Sequence, residues 1–516
     1  MEGLENMAFI SNAVSLVTYF YGYMNFSLTK SANTLTNFMG TSFLVALFGG
    51  LISDTYLSRF KTCVLFGCIE LLGYAALTVQ AHFHQLRPPP CQGLAISQTT
   101  QCQAADRGQA AILFTGLYLV GFGTSGVKAA LPSLGADQFD ERDSKRSSFF
   151  NWFLLSFTVG AIIGVTFIVW ISTNQGWDWA FGLCTAAVLV SIMVLSMGKS
   201  LYRNNVPKGS PLLRIIQVFV VAIRNRKLPQ PGIEDELHEV ARVHNEILPR
   251  TEQFRFLDRA AIKHSSNNGS TSINLRPWRI SQLQTFTVQQ STTMNTHVLG
   301  IKMPGSSIPV IPLVFMFIFI PIYDCVFVPI ARKITGIPTG IRYLQRIGVG
   351  LVLSAISMAV AGIVETRRKS VAREHGMVDS LQPLPMNVLW LGYQYSIFGL
   401  ADMFTFVGLI QFFYEESSAG MKSLGTAISW CSSAFGYYLS SVVVDVVNKV
   451  SGGWLDNNNL NRDKLDYFYW LLAGMSVVNF GVYLVCASWY RYKKVEVIYK
   501  EKNHAEGKQV EMLNAV

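Results

Sequence analysis

Long apolar runs separated by polar breaks dominate this chain. A helix rises about 1.5 Å per residue, so about 20 mostly apolar residues cross a hydrocarbon layer of about 30 Å. Such runs fall at Met7–Met24, Thr36–Tyr56, Lys61–Ala81, Gln109–Leu131, Phe149–Ser172 and Trp177–Met197. A polar stretch follows, then a weak run at Ile280–Leu299. Stronger ones return at Ile308–Ala331, Ile341–Val364, Met386–Tyr414, Leu424–Val447 and Tyr467–Tyr490. The pattern predicts an all-α membrane protein of about twelve spans in two six-helix bundles. The bundles occupy residues 1–198 and 280–494, joined by a cytoplasmic linker at 199–279 and followed by a tail at 495–516. The first span begins almost at Met1 and the seventh holds many Gln, Thr and Ser, so both read as truncated.

Composition supports this reading. Only 14% of the 516 residues are charged and 50% are hydrophobic, whereas soluble domains carry about 25% charge. Aromatic residues at 12% exclude a disordered chain. The formal net charge of +10 would hint at nucleic acid in a soluble protein. In a membrane protein it reflects Lys and Arg in cytoplasmic loops, and no nucleic-acid partner is expected. With both termini cytoplasmic, most Lys and Arg fall on the inner side, while Arg367, Arg368, Lys369 and Arg373 fall outside, against that trend. Within the linker, Leu212–Arg226 reads as an amphipathic surface helix, Ile233–Ile262 as a charged helix and His264–Ser272 as a flexible connector.

Ionisable residues inside spans are costly and mark functional sites. Lys128 is the clearest, in GFGTSGVKAALPSLGADQFD, Gly121–Asp140. Its ammonium needs a carboxylate partner, and Glu70, Asp324, Asp402, Glu415 and Glu416 are candidates. Glu2 and Glu5 share one helical face, and two neighbouring carboxylates do not both ionise easily, which suits reversible proton binding. The alternative for this pair is capping of a frayed N-terminus. Gln282, Gln284, Gln289 and Gln290 must bond to neighbours, water or ligand. The eight Cys lack metal-ligand spacing, and His82 with His84 is a weak metal signal, so no cofactor or metal is expected. No nucleophile, base and orienting group recur together, so an enzyme is not expected.

Four segments carry a resemblance. They are Gly121–Asp140, GGLISDTYLSRFKT (Gly49–Thr62, with Ser58 where Gly is usual), FFNWFLLSFTVGA (Phe149–Ala161) and ADMFTFVGLIQFFYEESSAGMKSLGTA (Ala401–Ala427). In this order they resemble the plant nitrate/peptide transporter family, within the proton-dependent oligopeptide transporters of the major facilitator superfamily. The resemblance implies two six-helix bundles around a central site, working by alternating access. It implies proton coupling through Glu2 and Glu5, with Asn6 where the family carries a basic residue. It implies a gating salt bridge between Lys128 and Glu416. Gln411 stands where peptide carriers place a Glu that holds the peptide amino terminus, so peptides rank low. A nitrate-contacting His of one relative would fall at Ile280. Gln284, Gln289, Gln290 and Gln411 are the expected substrate-cavity amides.

The expectation is a plasma-membrane symporter taking up protons with a small anion, nitrate or a carboxylate hormone such as abscisic acid or gibberellin. A ligand sensor without turnover remains open. So does an incomplete gene model or splice form, since relatives carry more residues before Glu2 and between Trp278 and Leu283. Cys91 and Cys102 lie in the loop assigned to the outside and are expected to form a disulfide. Thiol labelling of intact cells should then rise only after reduction; labelling that reduction leaves unchanged would refute the bridge.

Overall fold

The computed structural model describes residues 1–26, 28–89, 105–140, 144–203, 290, 294–295, 297–298, 301–302, 308–337, 339–378, 383–418, 420–455 and 461–490. Among these, ten helices are long and apolar enough to cross a membrane. Another helix, α1 (Glu2–Gly22), precedes them. The first half continues with α2 (Leu28–Leu44), α3 (Ala46–Thr55), α4 (Arg59–His82), α5 (Arg107–Ala136), α6 (Ser144–Ile163), α7 (Val169–Asn174) and α8 (Trp177–Met197). The second half holds α9 (Val310–Ile322), α10 (Val328–Thr335), α11 (Tyr343–Glu374), α12 (Leu391–Glu416), α13 (Lys422–Ser451) and α14 (Leu465–Trp489). One π turn, Gly164–Ile168, joins α6 to α7, and another, Tyr323–Phe327, joins α9 to α10. The sequence pattern did not signal either turn. Large apolar side chains such as Leu72, Trp179, Val478 and Val485 are exposed on the helix surfaces, as a lipid-facing wall requires.

Two expected spans differ in outline. The first was expected from Met7, yet helix begins at Glu2, because Glu2 and Glu5 are buried inside the bundle. The seventh, Ile280–Leu299, is described only at 290, 294–295 and 297–298. Of these, Met294–Asn295 (β1) and His297–Val298 (β2) are extended and pair with Leu384–Asn387 (β4) and Ile301–Lys302 (β3) respectively. Gln284 and Gln289, the linker helices, Cys91, Cys102 and the tail lie outside the described residues.

Three of the cations expected on the outer side against the charge trend are paired. Arg368 bonds Glu365 at 2.7 Å with both side chains fully buried, Lys369 meets Asp466, and Arg367 lies 3.5 Å from Glu374. Charges held in pairs on α11 and α14 stabilise the second half locally.

The halves meet along α13, which packs on α2, α3 and α5, and along α6, which packs on α9 and α12. Small residues set the spacing at the first helix. A Cβ at Gly160 would lie 1.9 Å from the Gly3 carbonyl oxygen, and one at Gly164 would lie 2.4 Å from that of Met7. These glycines on the α6 side let the α1 backbone approach closely enough to bury Glu2 and Glu5. We predict that Gly160→Val pushes α1 outward, lowering stability by about 1–3 kcal/mol and abolishing transport. Gly392→Ala, which meets nothing within 4 Å, should match the unaltered protein in both thermal stability and uptake.

Candidate functional site

The site grows from one proline. Pro132 lies inside α5 and has no N–H, so the carbonyl of Lys128, four residues earlier, loses its helical donor. The indole N–H of Trp430 on α13 supplies a substitute, donating to that carbonyl at 3.1 Å. One turn away, the Thr426 hydroxyl donates to the Ala129 carbonyl at 2.6 Å. A break in the helix of one half is thereby filled by the other half, at the level of the buried lysine.

The Lys128 side chain is 2% exposed. Its Nζ donates to Asn6 Oδ1 at 2.9 Å and to Glu5 Oε2 at 3.3 Å. Three aromatic rings surround the ammonium: Phe9 at 4.7 Å, Trp430 at 5.0 Å and Phe157 at 5.7 Å. Distances under about 6 Å give a cation–π attraction that strengthens away from water. Asn6 also donates from Nδ2 to Glu2 Oε1 at 2.6 Å. Its amide thus faces a cation with its oxygen and a carboxylate with its nitrogen. Glu2, Glu5, Asn6 and Lys128 form one buried polar cluster between α1 and α5, and the N-terminal capping alternative for the two glutamates does not hold.

Glu70 on α4 faces the same cluster. It is fully buried and neither carboxylate oxygen has a hydrogen-bond partner among the described residues. Glu5, Lys128, Glu2 and the Thr124 hydroxyl are its electrostatic neighbours.

At one end of the bundle the halves are bolted together. Asp54 Oδ2 accepts the Leu424 N–H at 2.8 Å in the first turn of α13, where a helix presents unsatisfied donors. Arg59 lies 3.6 Å from Asp54, pairs with Asp137, and donates from Nε to Ser423 Oγ at 3.0 Å. The Tyr414 hydroxyl donates to Asp137 at 2.7 Å. Arg146 pairs with Glu415 at 2.5 Å. A second bolt involves α6. Asp324, in the π turn, accepts from Ser148, from Asn151 at 2.6 Å and from Trp152 at 3.1 Å. Arg346 donates to Asn151 Oδ1 at 2.9 Å and lies over the Tyr323 ring at 4.4 Å.

Several expected roles are redistributed. Lys128 takes Glu5 and Asn6, not Glu416, as partners in this conformation; Glu416 is the half-buried last residue of α12. Gln411 donates to Ser147 at 2.8 Å, so its amide ties the halves together instead of facing an open cavity. Gln290 donates to Glu365 at 2.6 Å and accepts from Tyr469 at 3.1 Å, serving the buried Arg368–Glu365 pair. The aromatic box and Asn6 as a bridge were not foreseen. Neither was Arg346, although that cation lay inside an expected span. The Lys128–Pro132 spacing was the available signal for the Trp430 contact.

An all-α chain with this many spans, with a buried charge cluster inside one of two bolted halves, is a multi-pass membrane transporter. The sequence profile of PTR2, the POT family, matches residues 60–276 and 277–459. Protein NRT1/PTR FAMILY 4.6 of Arabidopsis thaliana is 40% identical, covering 96% of this chain and 93% of its own. NRT1/PTR FAMILY 4.5 of the same plant is 42% identical, covering 95% and 92%. The crystal structure of an auto-inhibited POT family peptide transporter aligns with a TM-score of 0.60 at 17% identity over 97% of each chain. The in meso structure of the POT family transporter PepTSo gives 0.61 at 14% identity, over 94% and 96%. This chain belongs to the POT family.

Replacing Lys128 by Ala strands the Glu5 carboxylate and should lower stability by about 3–5 kcal/mol. We predict that uptake falls at least ten-fold in Lys128→Ala, measured per molecule at the cell surface. Near-normal uptake would remove Lys128 from the mechanism.

Proposed function

We propose that this transporter couples proton entry to uptake of a small anion across the plasma membrane, with the bolted end and both termini facing the cytoplasm. The observation that carries this reading is the Lys128 ammonium, buried and committed to Glu5 and Asn6 beneath three aromatic rings. While Glu5 is ionised, the pair is neutral and attracts no anion. A proton on Glu5 leaves the ammonium without its counter-ion, and a substrate anion then restores neutrality. Proton and anion therefore favour each other's binding, and a neutral assembly changes access more readily than a charged one. Binding between the halves, with opening of one end and then the other, is the alternating-access cycle of such folds.

Asn6 does not remove the coupling in this scheme. The neutral amide bridges Glu2 and Lys128 without adding a second cation to compete for the anion. Nitrate is the simplest substrate of the class, and carboxylate hormones such as abscisic acid or gibberellin share its charge. Oligopeptides fit less well, since the buried Gln411 amide is spent on Ser147 and offers no carboxylate to a peptide amino terminus.

Nitrate keeps its charge across the relevant pH range and therefore isolates the protein's own protonation. Isotope-labelled nitrate uptake in oocytes should rise as external pH falls from about 7.5 to about 5.5, the window in which paired buried carboxylates gain protons. Glu5→Gln should flatten that profile. Saturable nitrate binding without uptake would instead favour the sensor, and a flat profile in the unaltered protein would count against coupling through Glu5.

A further inference from the structure

Glu70 is a buried acid that the scheme above leaves unused. It sits on α4 where the helix touches Gly123 of α5: a Cβ at Gly123 would lie 2.4 Å from the Glu70 backbone nitrogen and 2.5 Å from its Cβ. The glycine brings Glu70 onto the α5 surface five residues before Lys128. Its side chain is 0% exposed, and both oxygens lack a donor among the described residues. The titratable groups around it are Glu5 and Glu2 on α1, Lys128 on α5, Tyr74 on its own helix and Cys184 on α8. Lys128 is already committed to Glu5 and Asn6, and the Tyr74 hydroxyl accepts from Asn12 at 3.3 Å. Among the described residues no cation bonds Glu70. A buried carboxylate bonded by neither a cation nor a donor is far less tolerable than its neutral acid.

We propose that Glu70 is a proton-binding residue of the transport cycle, holding a proton in the conformation in which Lys128 is paired with Glu5. The inference rests on the proton-coupled reading and deepens it. The step makes and breaks only O–H bonds: Glu70 gains its proton from water entering on the uptake side and returns it to water on the other side. Once the anion has left while Glu5 still holds its proton, Glu70 gives its proton to water on the inner side and becomes the carboxylate that Lys128 faces. The cluster then alternates between two carboxylate partners for one cation, and the acid that is not paired carries the proton.

Infrared spectroscopy of the purified full-length protein tests this without any substrate. The carbonyl-stretch band of protonated, buried carboxylic acids should be present at neutral pH, weaker in Glu70→Gln and retained in full in Gln290→Asn, which removes no acid. An unchanged band in Glu70→Gln overturns the proposal. Glu70→Gln should also reduce the rise in nitrate uptake between about pH 7.5 and pH 5.5 from several-fold to less than about two-fold. A full rise in that variant overturns the proposal even if the band weakens, because Glu70 would then be an acid outside the cycle. If Glu70→Gln does not reach the membrane, Glu70→Asp replaces it: part of the band should move in frequency, and a band that stays in place overturns the assignment. Failure of nitrate and of carboxylate-hormone transport in the unaltered protein would refute the anion reading while leaving the spectroscopic result standing.

Discussion

One ammonium, buried between apolar helices, constrains most of this bundle. Lys128 cannot remain charged there alone, so α1 must come close enough to bring Glu5 and Asn6. That approach requires the glycines at 160 and 164, whose missing side chains leave room for the α1 backbone. The ammonium also needs the faces of Phe9, Phe157 and Trp430, which come from α1, α6 and α13. Both halves of the molecule therefore contribute to solvating one charge.

Pro132 makes the same point through the backbone. An interior proline would ordinarily weaken a helix by about 3 kcal/mol. Here the carbonyl it releases is taken by Trp430, whose ring also lies over the ammonium of the same lysine. Movement of α13 relative to α5 must then disturb a hydrogen bond and a cation–π contact together. The bolts at one end follow a shared design: a carboxylate on one half, Asp54 or Asp324, accepts from the first turns of a helix on the other, α13 or α6. An arginine, Arg59 or Arg346, adds a bond to the same helix in each case. Two small sets of buried and half-buried polar contacts are easier to exchange for water than a continuous apolar interface, which suits a gate.

The spans were legible because apolar length is read directly from sequence and lipid leaves few alternatives to a helix. The start of α1 was not, because Glu2 and Glu5 look like a polar flank until a cation from another helix is placed beside them. The seventh span gave only a weak signal for a related reason. Its Gln and Thr residues break the apolar signal, and Met294–Asn295 pairs with Leu384–Asn387, which only the tertiary structure brings near. Lys128 was legible as an anomaly in an apolar run. Its partner was not, since several acids had comparable claims and the choice depends on helix packing. Glu70 was visible only as one candidate among those acids, and its lack of a bonded partner is a property of the packed structure alone.

The amide of Asn6 has a consequence for the electrical behaviour of the carrier. Glu2, Glu5, Glu70 and Lys128 are the ionisable groups of the cluster, and Asn6 contributes no charge of its own. A basic side chain at that position would add one positive charge to whatever moves through the membrane field. Each elementary charge that crosses 100 mV is worth about 2.3 kcal/mol. With an amide there, the charge carried on the unloaded return is set by bound protons alone. Membrane voltage and proton concentration thus act on the same few oxygen atoms, and the resting potential becomes a second control on how quickly the empty carrier resets.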